Sequence, residues 1–251
     1  MQTLPGDLPA IAADIVERLR QRAPRVHCVT NSVAQNFTAN MLLAVGAVPS
    51  MTTSPDEIAA FVRGADALLV NLGTFDAERR AAVGAALSVV EPRAWVFDPV
   101  FVDRSADRAA FAQSLLVSRP AVVRLNSAEL AALSAGDDPR AAAARWGTTV
   151  ALSGATDVVT DGASSLSLAN GHAWMARVTA MGCAGSALVA ACLAVEADPV
   201  RAAAAALLML GIAGERAADE SRGPGTFATA IIDAIHLLDG ATVLRSAKVG
   251  A

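Results

Sequence analysis

Through the first half of the chain, short apolar runs rich in β-branched residues alternate with longer stretches of helical character. VHCVT (26–30), VPSMTT (48–53), DALLVNL (66–72), AWVFDP (94–99) and VVRLN (122–126) predict strands, and the segments near 33–45, 55–63, 76–91 and 105–118 predict the helices between them. Strands that are continuously apolar rather than alternating belong to a parallel sheet covered on both faces. The second half changes rhythm. TVALSG (149–154), DVVTDG (157–162), SLSLAN (165–170) and HAWMARV (172–178) follow closely and are joined by turn dipeptides such as Asp161-Gly162 and Asn170-Gly171, which predicts antiparallel hairpins. From Cys183 the pattern is helical through Asp219, with a break at Asp198-Pro199, and a last helix spans about 225–238. The expectation is one α/β domain over residues 1–251: a three-layer αβα fold whose central sheet is mostly parallel, with antiparallel strands in its second half.

Composition narrows the function classes. With 54% apolar and 18% charged residues, most segments must pack on at least one side, as in a compact globular protein. The balance of 20 Lys+Arg against 24 Asp+Glu contains no basic block able to neutralise a run of phosphates, which argues against nucleic acid. The first residues have neither a basic start nor an unbroken apolar run, so they do not read as a signal peptide. The apolar stretches 184–195 and 202–214 fall short of the roughly 20 residues needed to cross a bilayer, so they read as buried helices. Cys28, Cys183 and Cys192 fit neither a zinc knuckle nor a CxxC pair. Residues nine apart on a helix face opposite ways, so Cys183 and Cys192 do not pair; a reducing cytoplasm is the expectation.

In an open α/β sheet, functional groups collect at the carboxyl ends of the strands. Those ends read Thr30-Asn31, Thr52-Thr53, Asn71-Leu72-Gly73-Thr74, Asp98-Pro99, Arg124-Leu125-Asn126 with Glu129, and Ser153-Gly154. Asp98 and Glu129, with Asn126, would suit a hard cation such as Mg²⁺ that keeps its waters and shares substrate phosphate. Asn126-x-x-Glu129 equally fits a helix capping box. In RVTAMGCAGSALVAACLAV (177–195), Gly182, Cys183 and Ala184 open a helix whose unpaired N–H groups attract anions, and the same field lowers the pKa of a thiol there. Cys183 is then either a proton acceptor or hydroxyl-orienting group, or a small buried residue; Cys192 reads as buried. His27 and His172 lie in predicted strands, where a hydrogen-bonded structural role is expected.

Taken together, VHCVTNSVAQNFTANMLLAVGAVPSMT, ALLVNLGT, VFDPV, VVRLNSAEL, LSGATDVVTDG, MGCAGSALVAACLAV and RGPGTFATAIIDAI resemble the hydroxyethylthiazole kinases, thiamine-pathway members of the ribokinase-like fold, over about residues 20–240. The resemblance implies ATP-dependent phosphorylation of the hydroxyethyl group of 4-methyl-5-(2-hydroxyethyl)thiazole by a homotrimer with active sites at subunit interfaces. It implies Met51, Asn31 and Ala180 at the thiazole, Arg124, Ser153 and Asn126 at ATP, and Asp98 and Glu129 on the magnesium and phosphate side. Gly182 would belong to the anion hole, and Cys183 would be aimed at the substrate hydroxyl. Three departures surround the phosphate: FVDRS (101–105) where the family has a glycine-containing run, Ala180 where it has glycine, and Leu125 within Arg-Gly-Asn, expected to put a bulky side chain beside the nucleotide. Asp103 or Arg104 could stand in for backbone contacts at the first. Another heteroaromatic alcohol, such as a hydroxymethylpyrimidine, and a catalytically weak ligand-binding homologue are the alternatives.

Overall fold

The computed structural model describes residues 5–90 and 95–250. One nine-stranded sheet organises it: β1 (Arg25–Val29), β2 (Val48–Ser50), β3 (Ala67–Asn71), β4 (Trp95–Asp98), β5 (Val122–Asn126), β6 (Thr149–Ser153), β7 (Asp157–Thr160), β8 (Ser165–Leu168) and β9 (Val249–Gly250), in the order β2-β1-β3-β4-β5-β6-β7-β8-β9. The first six run parallel and β6 through β9 antiparallel, as the change of rhythm predicts.

Burial on both faces explains the continuous apolar runs. Along β3 and β4, Leu69 and Val96 enter one core, while Leu68, Val70, Trp95 and Phe97 enter the other. The first core is closed by α1 (Leu8–Arg22), α2 (Gln35–Val45), α8 (Met181–Leu193), α9 (Pro199–Asp219), α10 (Pro224–His236) and α11 (Gly240–Ser246). The second is closed by α3 (Ile58–Arg63), α4 (Ala77–Leu87), α5 (Ala106–Leu116), α6 (Ser127–Ser134) and α7 (Pro139–Trp146). Position 91 of the helix expected over 76–91 and position 94 of the strand expected over 94–99 lie outside the described residues. The break between α8 and α9 falls where expected: Asp198 accepts from the Val200 and Arg201 N–H groups, and Pro199 takes the first helical position, where its missing N–H is not needed.

Three expectations change. Residues 172–178 form no strand; Ala173–Arg177 is a 3-10 turn. The free edge of β8 is taken instead by β9, and Asn170 fixes that choice by accepting from the Lys248 N–H and donating to the Ser246 carbonyl. His172 is consequently exposed and receives the Trp174 N–H. The ladder of β2 stops at Ser50, so Met51–Thr53 lie beyond the sheet. Finally, α8 begins at Met181, two residues before Cys183, so the Ala184 N–H is already bonded to the Ala180 carbonyl (2.9 Å), leaving Gly182 and Cys183 among the first-turn donors.

Candidate active site

The residues of interest follow the strand order along one edge of the sheet. Asn31 follows β1, Asn71 ends β3, Asp98 ends β4, Arg124 and Asn126 lie in β5, and Ser153 ends β6. Parallel register sets Asn71 beside Asp98 and Asn126 beside Ser153. The first turn of α8 lies over the middle of this row.

Cys183 is the meeting point. Its Sγ accepts from Asn31 Nδ2 (3.2 Å) and from Asn71 Nδ2 (3.3 Å). Asn71, buried, also donates to Asp98 Oδ2 (2.8 Å) and through Oδ1 accepts from Asn31 Nδ2 (3.2 Å) and the Gly73 N–H (3.0 Å). From α8, Ser186 Oγ donates to the same Asp98 oxygen at 2.6 Å. A thiol from one helix and a carboxylate from one strand are thus joined through a single amide. Burial is the main cause that pushes the Cys183 thiol up to about 11, with the Asp98 charge adding to it, so it is protonated at neutral pH. The expected lowering at the helix start is overturned: desolvation and a neighbouring carboxylate outweigh the helix field.

Burial likewise raises the Asp98 carboxyl above its usual range, against the pull of Arg124 and of the Ser186, Asn71 and Val100 donors. Glu129 is raised by burial and then by Asp98, despite the Asn126 and Phe101 N–H groups on its two oxygens (2.9 and 3.1 Å). Asn126 in turn accepts from the Ala128 and Glu129 N–H groups, completing a capping box on α6. Of the two readings of Asn-x-x-Glu, the cap is formed, and its carboxylate also feels the Asp98 charge.

Beyond Asp98 opens a cavity of about 560 Å³ whose lining includes Arg124, Ser153, Asp157, His172, Met181 and Gly182. Arg124 Nη1 donates to the Gly182 carbonyl (3.0 Å), while its buried Nε has no partner. Asp157, raised by burial and receiving the Gly154 N–H (2.9 Å), adds a carboxylate to this wall.

These elements match known proteins across nearly the whole chain. Residues 16–240 fit the profile of the hydroxyethylthiazole kinase family. The chain is 43% identical over 248 residues to a probable hydroxyethylthiazole kinase of Agrobacterium fabrum, covering 97% of each chain. A solved structure of a hydroxyethylthiazole kinase from Pyrococcus horikoshii OT3 superposes with a TM-score of 0.91 at 34% identity, covering 96% of this chain and 98% of that one. A ribokinase-like superfamily protein of Enterococcus faecalis V583 shares the fold, with a TM-score of 0.68 at 14% identity over 89% of this chain and 93% of that one. The chain belongs to the hydroxyethylthiazole kinase family. It is a phosphotransferase that acts on hydroxyethylthiazole in thiamine salvage.

In this chain Asn31, Cys183, Asp98, Gly182, Arg124 and Ser153 lie along one edge of the sheet, and Met51 lies at its end beyond β2. Asn126 is drawn off as the α6 cap. From the sequence Asn71 is read only as a strand-end residue without a role and Ser186 is not read at all; its signal is a serine one turn after Cys183 on the same helix. Leu125 does not line the cavity of Arg124 and Ser153: it is buried in the core on the opposite face of β5 from Arg124, as strand alternation requires. Asp103 and Arg104 pair with each other at 2.9 Å. Phe101, where the family has a glycine-containing run, adopts φ 60°, and Ala180 adopts φ 71°.

That left-handed backbone costs an alanine about 1–2 kcal/mol, so Ala180→Gly should stabilise the fold by about 0.5–1 kcal/mol after the extra freedom of an unfolded glycine is counted. A rise in the urea midpoint is the expected reading. Gly73 has the opposite requirement. A Cβ there would lie 2.5–2.8 Å from the Nδ2, Cβ and Cγ atoms of Asn31, so Gly73→Ala must push Asn31 off Cys183. The expected result is a fall in kcat/KM of about tenfold or more from the displaced group, measured at subsaturating alcohol.

Proposed function

We propose that this chain, as a single domain, transfers the γ-phosphoryl group of ATP to the hydroxyl of 4-methyl-5-(2-hydroxyethyl)thiazole at the edge where Cys183 meets the cavity of Arg124 and Ser153. The observation that carries it is the Cys183 thiol, clamped by Asn31 and Asn71 between the Met51 end of the sheet and that cavity. With both amides donating to Sγ, the S–H is free to face the acceptor oxygen. Cys183 therefore orients the hydroxyl rather than stripping its proton, which suits phosphoryl transfer, a reaction governed by positioning and charge. Met51, Asn31 and Ala180 surround the thiazole; Arg124 and Ser153 hold nucleotide, and the N–H groups of Gly182 and Cys183 receive the moving phosphoryl.

The donor set at Asp98 and Glu129 fits Mg²⁺. Both supply hard oxygen donors, and the Asp98 charge already raises Glu129, a repulsion that a cation would relieve. No group of three or more His, Cys, Asp or Glu able to hold a metal occurs among the described residues. When bound, the ion supplies charge neutralisation on the phosphates.

Leu43, Val48 and Phe61 stand exposed near the free edge of β2, beside Met51, which supports a homotrimer with sites completed at subunit contacts. Free Cys28, Cys183 and Cys192 support a cytoplasmic setting, and among the described residues no single helix is long and apolar enough to cross a membrane. The deciding experiment follows ATP turnover with the thiazole alcohol and a hydroxymethylpyrimidine in parallel, and calorimetry with each ligand. Brisk thiazole turnover is expected. Pyrimidine turnover with thiazole at background reassigns the substrate, and thiazole binding without nucleotide binding reassigns the protein as a binding homologue.

A further inference from the structure

His27 lies on β1 and is 0% exposed, yet it belongs to neither core packing nor the row of strand-end groups. Its Nδ1 is 2.8 Å from Ser50 Oγ and its Nε2 is 3.1 Å from the Thr52 carbonyl. A carbonyl can only accept, so Nε2 carries the proton and Nδ1 accepts from the Ser50 hydroxyl. One ring therefore holds the residues on either side of Met51. The need for such a tie is topological. The β1–β2 ladder ends at the pair His27–Ser50, and the chain then leaves the sheet. Beyond that point the Thr52 hydroxyl donates to Glu57 and accepts from the Ser54 N–H, and the contact that reaches back to β1 is His27 on the Thr52 carbonyl. The ring's flank rests on Phe61 of α3 at 5.8 Å, which fixes its plane. Burial lowers its pKa, keeping the neutral tautomer that both bonds require.

We propose that His27 is a positioning residue for the acceptor alcohol: by accepting from Ser50 and donating to Thr52 it sets the otherwise unladdered Met51 segment against the thiazole. This rests on the reading of Met51 as part of the thiazole site. It makes His27 a determinant of alcohol affinity and leaves nucleotide binding, built on β5, β6 and α8, untouched.

The two bonds can be separated chemically. In His27→Gln the amide N–H reaches toward the Thr52 carbonyl as Nε2 does; in His27→Asn the shorter amide reaches only Ser50; His27→Leu fills the space and makes neither bond. Steady-state kinetics on these variants and on Met51→Ala, with melting temperatures alongside, should show the alcohol KM raised about tenfold or more in the Asn and Leu variants. KM for ATP and kcat should stay within about threefold, and His27→Gln should recover the alcohol KM to within about threefold of the native enzyme. If His27→Leu does not fold, the Gln and Asn pair decides. An unmoved alcohol KM in His27→Asn beside a raised one in Met51→Ala overturns the role of His27 alone. An unmoved KM in both overturns it together with the Met51 reading. Equal losses in the Gln and Asn variants, or equal rises in both KM values, mark His27 as merely structural and overturn the proposal.

Discussion

Replacing Cys183 with alanine is expected to lower kcat by about 10²-fold, with the alcohol KM within about threefold, because an alcohol left free to rotate loses its in-line pose more than its binding energy. Cys183→Ser is expected to keep far more activity, since a hydroxyl can take the Asn31 and Asn71 N–H groups and still donate outward as the thiol does. The pH dependence separates orientation from base catalysis. With the thiol pushed up to about 11, the thiolate fraction climbs about tenfold per pH unit from 7 to 9. A thiolate base would make kcat climb with it, and Cys183→Ala would abolish the slope. An orienting thiol gives a kcat that does not follow the thiolate over that range, and this is the profile expected. Initial rates at saturating ATP and alcohol, buffered in steps from pH 7 to 9, decide between the two. A slope of about one log unit per pH unit that disappears in Cys183→Ala would return the thiolate to the role of base.

What the chain alone did not show is the direction in which the Cys183 thiol is shifted. Cys183 at a helix start after glycine points to a depressed pKa, and the local field does favour it. The opposing causes come from elsewhere in the sequence: β4 brings Asp98, and the core helices remove water. Local chemistry was legible, whereas its sign depended on tertiary burial. The strand bodies were legible because a sheet covered on both faces leaves them apolar, and the row from Asn31 to Ser153 was legible because polar residues end those runs. Asn71 stood in that row, but nothing in one sequence says that its single amide joins Asp98 to Cys183. The 172–178 segment was misread because a strand-like composition competes with a partner 70 residues away: β9 contributes only Val249 and Gly250, too short to announce itself. By contrast α1 was open to view, since Leu8, Ala12, Ile15, Val16 and Leu19 are a helical stripe that was read only for what it was not, a signal peptide.

Asp98→Asn should separate stability from catalysis most sharply. The carboxyl at this position is buried, and burial raises its pKa above the unfolded value, so its ionised form opposes folding. A carboxyl raised in this way contributes stability below its unfolded pKa, and that contribution is lost as pH rises through the folded pKa. Ionising this carboxyl is therefore a burden on the fold. An asparagine keeps an oxygen for the Asn71 and Ser186 donors while removing the charge. The melting temperature of Asp98→Asn at pH 7 should accordingly equal or exceed that of the native enzyme, and the difference should shrink on acidification as the native carboxyl takes up its proton. Catalysis should move the other way. On the proposed reading of Asp98 and Glu129 as the phosphate-side donors, the substitution removes preorganised charge, for which a fall in kcat of about 10²–10³-fold is the expected scale. A lower melting temperature with unaltered kcat would show Asp98 to be a structural partner of Ser186 and Asn71. Retained stability with collapsed turnover is what a carboxyl kept buried for its chemistry must give.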